Sequence, residues 1–201
     1  MGDELTIVPL GPLTNIAAAI MAKPSIIGEV SGFVLMGGAY NLTPYGHGNV
    51  TPVAEFNVWH DPEAAKIVFE SGIPIKAVGL DVTTDPANRL STGRFAEIEA
   101  LGTERAELIA SLCRNLVERL GGLSLHDPLT LASVVNPGLV ETVPVRVEVE
   151  TRGEVTLGMT VVDRRQRHRV SGVEANVDTC ISVDSKRFLG MFFERVVHGR
   201  V

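Results

Sequence analysis

Three short apolar runs, each closed by a turn-forming segment, constrain what this chain can fold into more than any other feature. Leu5-Thr6-Ile7-Val8-Pro9-Leu10 runs into Gly11-Pro12-Leu13-Thr14-Asn15. Gly32 to Met36 runs into Gly37-Gly38, and Ile73 to Leu80 ends in Asp81-Val82-Thr83. Helical segments lie between them. Ile16 to Ala22 is stopped by Pro24, and Asp61-Pro62-Glu63 opens a helix that closes at Ser71-Gly72. In that second start, Asp is a cap, Pro takes the first helical position and acid fills the first turn. Strand, tight turn and helix make the βα unit of an open α/β sheet. Ligands bind such sheets at the carboxyl ends of the strands. No GxGxxG follows either of the first two strands, which argues against a dinucleotide site.

The second half adds helices over Ser91–Ala100 and Thr103–Leu120 and one from His126-Asp127-Pro128 to about Val135. Leu108, Ile109, Leu112, Leu116 and Leu120 keep helical spacing, which assigns Leu112 and Cys113 to the core. The pattern then alternates like strands over Val143–Thr151, Glu154–Asp163 and Asn176–Asp184, with Thr151-Arg152-Gly153 as a hairpin turn. Ser185–Val197 reads as a final amphipathic helix, and the basic run over residues 164–169 as a solvated loop. The expectation is one domain over residues 1–201. Its architecture is α/β, an open, mostly parallel Rossmann-like sheet flanked by helices, with an added antiparallel hairpin near the C-terminus.

A formal charge of −6 over 201 residues points to neither nucleic acid nor an anionic membrane as a partner. Cys113 and Cys180 are far apart and form no CxxC, as in a protein of a reducing cytosol. Met1-Gly2-Asp3-Glu4 opens acidic and resembles no signal peptide, so the expected location is cytoplasmic.

Gly48 to Asn57 brings together a carboxylate, two carboxamides and an aromatic ring in Asn49, Glu55, Phe56 and Asn57. Converging from one loop, they suit a ligand rich in hydroxyls, although a plain surface turn is an equal alternative. His60-Asp61-Pro62 and His126-Asp127-Pro128 repeat the same three letters. Helix capping accounts for the first. The second follows Gly121-Gly122, and capping, a hard oxygen ligand for Ca²⁺ or Mg²⁺, and a proton-donating His all stay open there.

Gly11-Pro12-Leu13-Thr14-Asn15, Met36-Gly37-Gly38, Asn49 through Asn57, Asp61 to Ala65, Leu80 to Thr83 and His126-Asp127-Pro128 occur in an order and spacing that resemble the inosine/uridine-preferring nucleoside hydrolases. The similarity continues through Thr160 and Asp163 to Asp184 and Arg187-Phe188. It implies hydrolysis of a ribonucleoside's N-glycosidic bond to base and ribose, with Ca²⁺ holding the ribose hydroxyls and the attacking water. It implies His126 as proton donor to the leaving base, Asp127 and the Leu10 carbonyl as Ca²⁺ ligands, and Asn49, Glu55 and Asn57 as ribose-binding groups. Met36 and Phe56 would line the pocket. It also implies a homotetramer or homodimer for the complete protein. A non-catalytic nucleoside- or sugar-binding α/β module is the alternative.

One departure accompanies the match. The family opens with an Asp-rich motif after its first strand that supplies most Ca²⁺ ligands and the base that activates water. No such segment occurs here. The chain corresponds to the last two-thirds of a member, with the first strands of the fold missing. It is expected to bind Ca²⁺ poorly by itself and to turn over nucleosides negligibly.

Overall fold

The computed structural model describes residues 5–165 and 174–200 of the chain. A five-stranded sheet lies at its centre in the order β1 (Thr6–Ile7), β2 (Gly32–Met36), β3 (Ile75–Val78), β9 (Val177–Val183), β6 (Val140–Val145). The first four strands run parallel, and β6 is antiparallel to β9. β2 is buried along its whole length, as expected for a strand covered on both faces. On one side of β2, among the described residues, lies β1 alone, whose outer edge has no strand partner.

Helices cover both faces. α1 (Thr14–Ala22) and α3 (Pro62–Phe69) pack on one face in a core that includes Phe33, Leu35, Val68, Phe69 and Ile75. α5 (Thr92–Glu99), α6 (Glu104–Leu120), α7 (His126–Val135) and a C-terminal helix (Ser185–Met191) pack on the other, around Leu90, Phe95, Ile98, Leu129 and Phe188. Burial of these apolar side chains is the main favourable term in the fold. Among the described residues, two antiparallel strand pairs lie outside the main sheet: β4 (Arg89–Ser91) with β5 (Gly122–Ser124), and β7 (Val147–Val149) with β8 (Thr160–Val162).

Local chemistry sets several boundaries. The Asp61 side chain accepts from Ala64 N and caps α3 as the sequence suggests. Thr103 caps α6 in the same way, and Gly121 ends that helix in the left-handed conformation, at φ 66°. The C-terminal helix widens beyond Met191 into a π-type segment, Phe192–Val197, so the single regular helix expected there changes pitch.

Other expectations are corrected. Val143–Thr151 is not one strand: β6 pairs with β9, and the chain changes partner at Arg146 to form β7. Asn176 fastens the switch, accepting from Val147 N and donating to the Phe69 and Val147 carbonyls. Only Thr160–Val162 of Glu154–Asp163 is strand. The residues before it form a wider turn, tied by Leu157 N to Gly153 O and Gly158 N to Glu150 O. β3 stops at Val78, and Leu80–Thr83 is a helical turn, α4, rather than the strand's end. Of the basic run, Arg164 and Arg165 are described: Arg164 donates to the Tyr40 and Asn41 carbonyls, and Arg165 pairs with Asp163. The rest of that run lies outside the described residues. α6 is where helical spacing misassigns a face most clearly. Its buried positions are Ala106, Ala110 and Val117, whereas Leu112 is 71% exposed and Leu108, Leu116 and Leu120 are exposed as well.

Candidate functional site

Parallel register brings the carboxyl ends of β1, β2 and β3 side by side. Met36 N donates to Pro9 O at 2.9 Å, and Leu80 N to Gly38 O at 2.9 Å. Leu10 therefore sits beside Met36 and packs on the small cluster of Met36, Ala39 and Leu80. Gly38 has φ +86°, and a Cβ there would lie 2.5 Å from the Tyr40 ring. Both facts require glycine at this position.

The long loop after β2 is held from below. Asp81, 1% exposed, accepts from Tyr40 N at 2.8 Å, Leu42 N at 2.6 Å and Thr43 N at 3.1 Å. Farther along, Asn49 N and Val50 N both donate to Ala54 O. The loop then enters a short helix, α2 (Phe56–His60), so Phe56 and Asn57 are helical rather than loop residues. Glu55 caps that helix. Its carboxylate accepts from Asn57 N (3.0 Å), Val58 N (3.2 Å) and Gly38 N (3.0 Å). Burial pushes the Glu55 carboxyl above its ordinary value against the three N–H donors, and the charge of Asp127 adds to the rise.

Asn57 is aimed by Nδ2, which donates to the Met36 carbonyl at 3.0 Å. Among the described residues its Oδ1 has no partner and is left for the cleft. Asn49 is tied the opposite way: its Oδ1 accepts from Phe56 N at 2.9 Å, leaving its Nδ2 to donate elsewhere. Phe56 is half-exposed and stacks on His60 with ring centroids 3.9 Å apart.

His126 and Asp127 stand at the start of α7. The capping explanation fails for this triplet, because the cap residue is Leu125 and the Asp127 side chain caps nothing. Asp127 makes no hydrogen bond or ion pair among the described residues, and burial raises its carboxyl above the ordinary range. His126 Nδ1 lies 2.8 Å from Thr83 Oγ1. Burial, helped by the Arg89 charge, lowers the imidazole below its usual value.

Leu10, Met36, Asn49, Glu55, Phe56, Asn57, His126 and Asp127 all line one cleft of about 500 Å³, a size ordinary for a small-molecule site. Sequence reasoning missed its apolar wall, made by Ile109, Leu112 and Cys113 of α6 with Phe192 and Val196. The signal was present: α6 carries more apolar positions than one buried face can use. Asp81 and Thr83 were also passed over as supports, since nothing in their spacing marks a tertiary hydrogen bond. Carboxamides, two carboxylates, an imidazole and apolar side chains lining one cleft suit a hydroxyl-rich ring bearing a flat, less polar group.

Ca²⁺ takes roughly six to eight oxygens. The Leu10 carbonyl accepts no hydrogen bond among the described residues, and with the Asp127 carboxylate it forms part of such a set. No group of three His, Cys, Asp or Glu side chains among the described residues could complete it. These residues alone do not make a Ca²⁺ cage. Nor, among the described residues, is any helix long and apolar enough to cross a membrane.

A family model described as inosine-uridine preferring nucleoside hydrolase matches residues 1–190. The pyrimidine-specific ribonucleoside hydrolase RihA of Shewanella sp. (strain ANA-3) is 40% identical over 197 residues, covering 94% of this chain and 59% of its own. The protein of the same name from Escherichia coli O7:K1 is 39% identical over 202 residues, covering 96% and 61%. Among solved structures, the purine-preferring ribonucleoside hydrolase from Gardnerella vaginalis matches with a TM-score of 0.82 at 36% identity, over 98% of this chain and 61% of that one. A plant nucleoside hydrolase matches with a TM-score of 0.85 at 27% identity, over 98% and 63%. The chain thus spans about three-fifths of the length of these relatives.

Proposed function

The chain belongs to the inosine-uridine preferring nucleoside hydrolase family, and from that premise we propose that its cleft receives a ribonucleoside whose N-glycosidic bond the complete protein hydrolyses to free base and ribose. One observation carries the reading: Asn49, Glu55 and Asn57 line the same cleft as His126 and Asp127. The ribose lies against Asn49, Glu55 and Asn57, with Glu55 and Asn57 toward the 5′-hydroxyl. Met36 and Phe56 line the sugar. The base lies toward the apolar residues of α6.

Positive charge grows on the ribose as the C1′–N bond breaks. A carboxylate held beside it in a partly dry site stabilises that charge. The bond electrons pass to the departing nitrogen, where a proton from His126 completes the free base, while water adds at C1′ and releases its own proton. His126 gives up that proton readily because burial disfavours the charged ring. Asp127 and the Leu10 carbonyl contribute two positions to a Ca²⁺ site whose remaining ligands these residues do not supply.

Base preference is not carried over, because the relatives' names divide between pyrimidine-specific and purine-preferring. For the complete protein we place the enzyme in the cytoplasm as a homodimer or homotetramer. The exposed Leu108, Leu116 and Leu120 on α6 supply apolar surface for association.

Titration calorimetry of uridine and inosine against the chain tests the ribose wall. Asn57→Ala and Asn49→Ala are expected to weaken binding of both nucleosides together, since both share the sugar. Unchanged affinity in both variants rejects the assignment. In a complete enzyme, His126→Ala slows a natural nucleoside far more than a riboside with an activated leaving group, and equal slowing rejects His126 as the acid.

A further inference from the structure

Residues 37–40 lead from the end of β2 into the long loop, and side chains take up their backbone groups. Gly38 N donates to Glu55 Oε2 at 3.0 Å, Ala39 N to Thr160 Oγ1 at 3.1 Å and Tyr40 N to Asp81 Oδ2 at 2.8 Å. The Gly37 carbonyl accepts from the Tyr40 hydroxyl at 3.1 Å. Tyr40 is fully buried. Its ring lies so close to Gly38 and Gly79 that a Cβ there would come within 2.5 Å and 2.6 Å of it.

The Gly37 carbonyl and the Gly38 N–H are the two ends of one planar trans peptide. A phenol holds one end, and the other end holds a carboxylate. Of the three N–H groups that reach Glu55, those of Asn57 and Val58 belong to its own helix, α2, and cap it locally. The Gly38 bond ties the carboxylate to the end of β2. Neither α-carbon flanking this peptide carries a side chain, so backbone sterics resist its rotation only weakly. Half a turn would point the carbonyl oxygen at the carboxylate. Donation to the Gly37 oxygen opposes that rotation, and it polarises the peptide so that the N–H donates more strongly.

We propose that Tyr40 is a positioning residue: by fixing the Gly37–Gly38 peptide, its hydroxyl aims Gly38 N–H at Glu55 and so sets where that carboxylate meets the sugar. The proposal rests on reading Glu55 as a group that faces the ribose 5′-hydroxyl. Tyr40 is not among the residues that line the cleft, so it acts through this peptide. A carboxylate held only by its own helix cap moves with that helix. The Gly38 bond fixes Glu55 against the strand that carries Met36, and with it the spacing of two groups lining the cleft.

The test compares the wild-type chain with Tyr40→Phe, which keeps the ring and removes the hydroxyl. In ¹H–¹⁵N correlation spectra the Gly38 amide proton of Tyr40→Phe is expected to move upfield and to exchange faster, while the Asn57 and Val58 amides stay in place. An unmoved Gly38 amide, or equal changes at all three, overturns the proposal. In titration calorimetry the preference for uridine over 5′-deoxyuridine is expected to fall about three- to ten-fold in Tyr40→Phe, the size of one lost hydrogen bond. An equal loss of affinity for both ligands marks a general structural role and overturns it. If Tyr40→Phe does not fold, the wild type decides: a Tyr40 hydroxyl proton in slow exchange with water supports the proposal, and a freely exchanging one overturns it. A wild type that binds uridine and 5′-deoxyuridine equally removes the 5′-hydroxyl reading of Glu55, whereas the Gly38 amide reports Tyr40's hold on the peptide without any ligand.

Discussion

Asp81→Ala removes at one stroke the acceptor for three backbone donors. The Tyr40 N–H bond to Oδ2 is buried, and the Leu42 and Thr43 bonds to Oδ1 are part-buried. Hydrogen bonds to a charged acceptor contribute about 1.5–3 kcal/mol each net, with the upper end for donors that water cannot reach after the loss. Counting the Tyr40 bond near the top of that range and the other two near or below its bottom predicts a loss of about 3–5 kcal/mol. That is a large part of the roughly 5–15 kcal/mol typical of a folded domain. Asp81→Asn behaves differently, because its oxygen in the Oδ1 position still serves Leu42 and Thr43. Only the Tyr40 N–H then faces an amide nitrogen, for a cost of about 1–3 kcal/mol. Urea unfolding compared at constant slope measures both. The loop that Asp81 anchors leads to Asn49 and Glu55, so nucleoside binding weakens in the same order: wild type, Asn, Ala. Asp81→Ala within about 0.5 kcal/mol of the wild type, or Asn as costly as Ala, refutes the reasoning.

Three further outcomes follow from particular sites. Leu112→Ala is expected to change stability by less than about 0.5 kcal/mol, while Leu129→Ala, fully buried on α7, loses about 2–5 kcal/mol; chemical denaturation of the pair checks which leucines are core. Gly38→Ala combines a left-handed backbone with overlap on the buried Tyr40 ring and is expected to cost about 2–4 kcal/mol by the same assay; a neutral result refutes the close approach. Asp127 has its carboxyl raised by burial, so the folded state holds that proton more tightly than the unfolded chain and ionisation costs stability above the ordinary carboxylate range. Asp127→Asn is therefore expected to raise the melting temperature at neutral pH, with the gain narrowing as pH falls through the carboxylate range; a lower melting temperature at neutral pH contradicts the sign.

Much of the site was legible because its polar residues cluster in two short stretches, Asn49–Asn57 and His126-Asp127. Asn49, Glu55 and Asn57 could be named from the residue types of their loop, whereas Met36 was implied only by the family resemblance, and the Asn57 Nδ2 bond to the Met36 carbonyl brings the two segments together. The α6 leucines mark the limit of periodicity. Helical spacing identifies an apolar stripe but does not say what the stripe faces. Here the small residues Ala106, Ala110 and Val117 take the close helix-packing positions, and the larger leucines are left toward the cleft and solvent. The C-terminal strands were misjudged for a related reason. Alternation marks extended chain but not its partner, and the switch at Arg146 depends on the Asn176 side chain from a distant segment.

By itself, then, the sequence determined the local grammar: βα units, the Asp61 cap, the glycines that admit close backbone approach, and the polar groups of the Asn49–Asn57 stretch. Those depend on dihedral preference and on neighbours a few residues away. Only the tertiary structure decided that the Glu55 carboxylate is buried on three N–H donors, that Asp127 is a free carboxylate rather than a cap, and that a threonine from another helix grips His126. Burial and hydrogen-bond partnership arise between segments far apart in the chain. They set which charges are costly and which side chains remain available for a ligand.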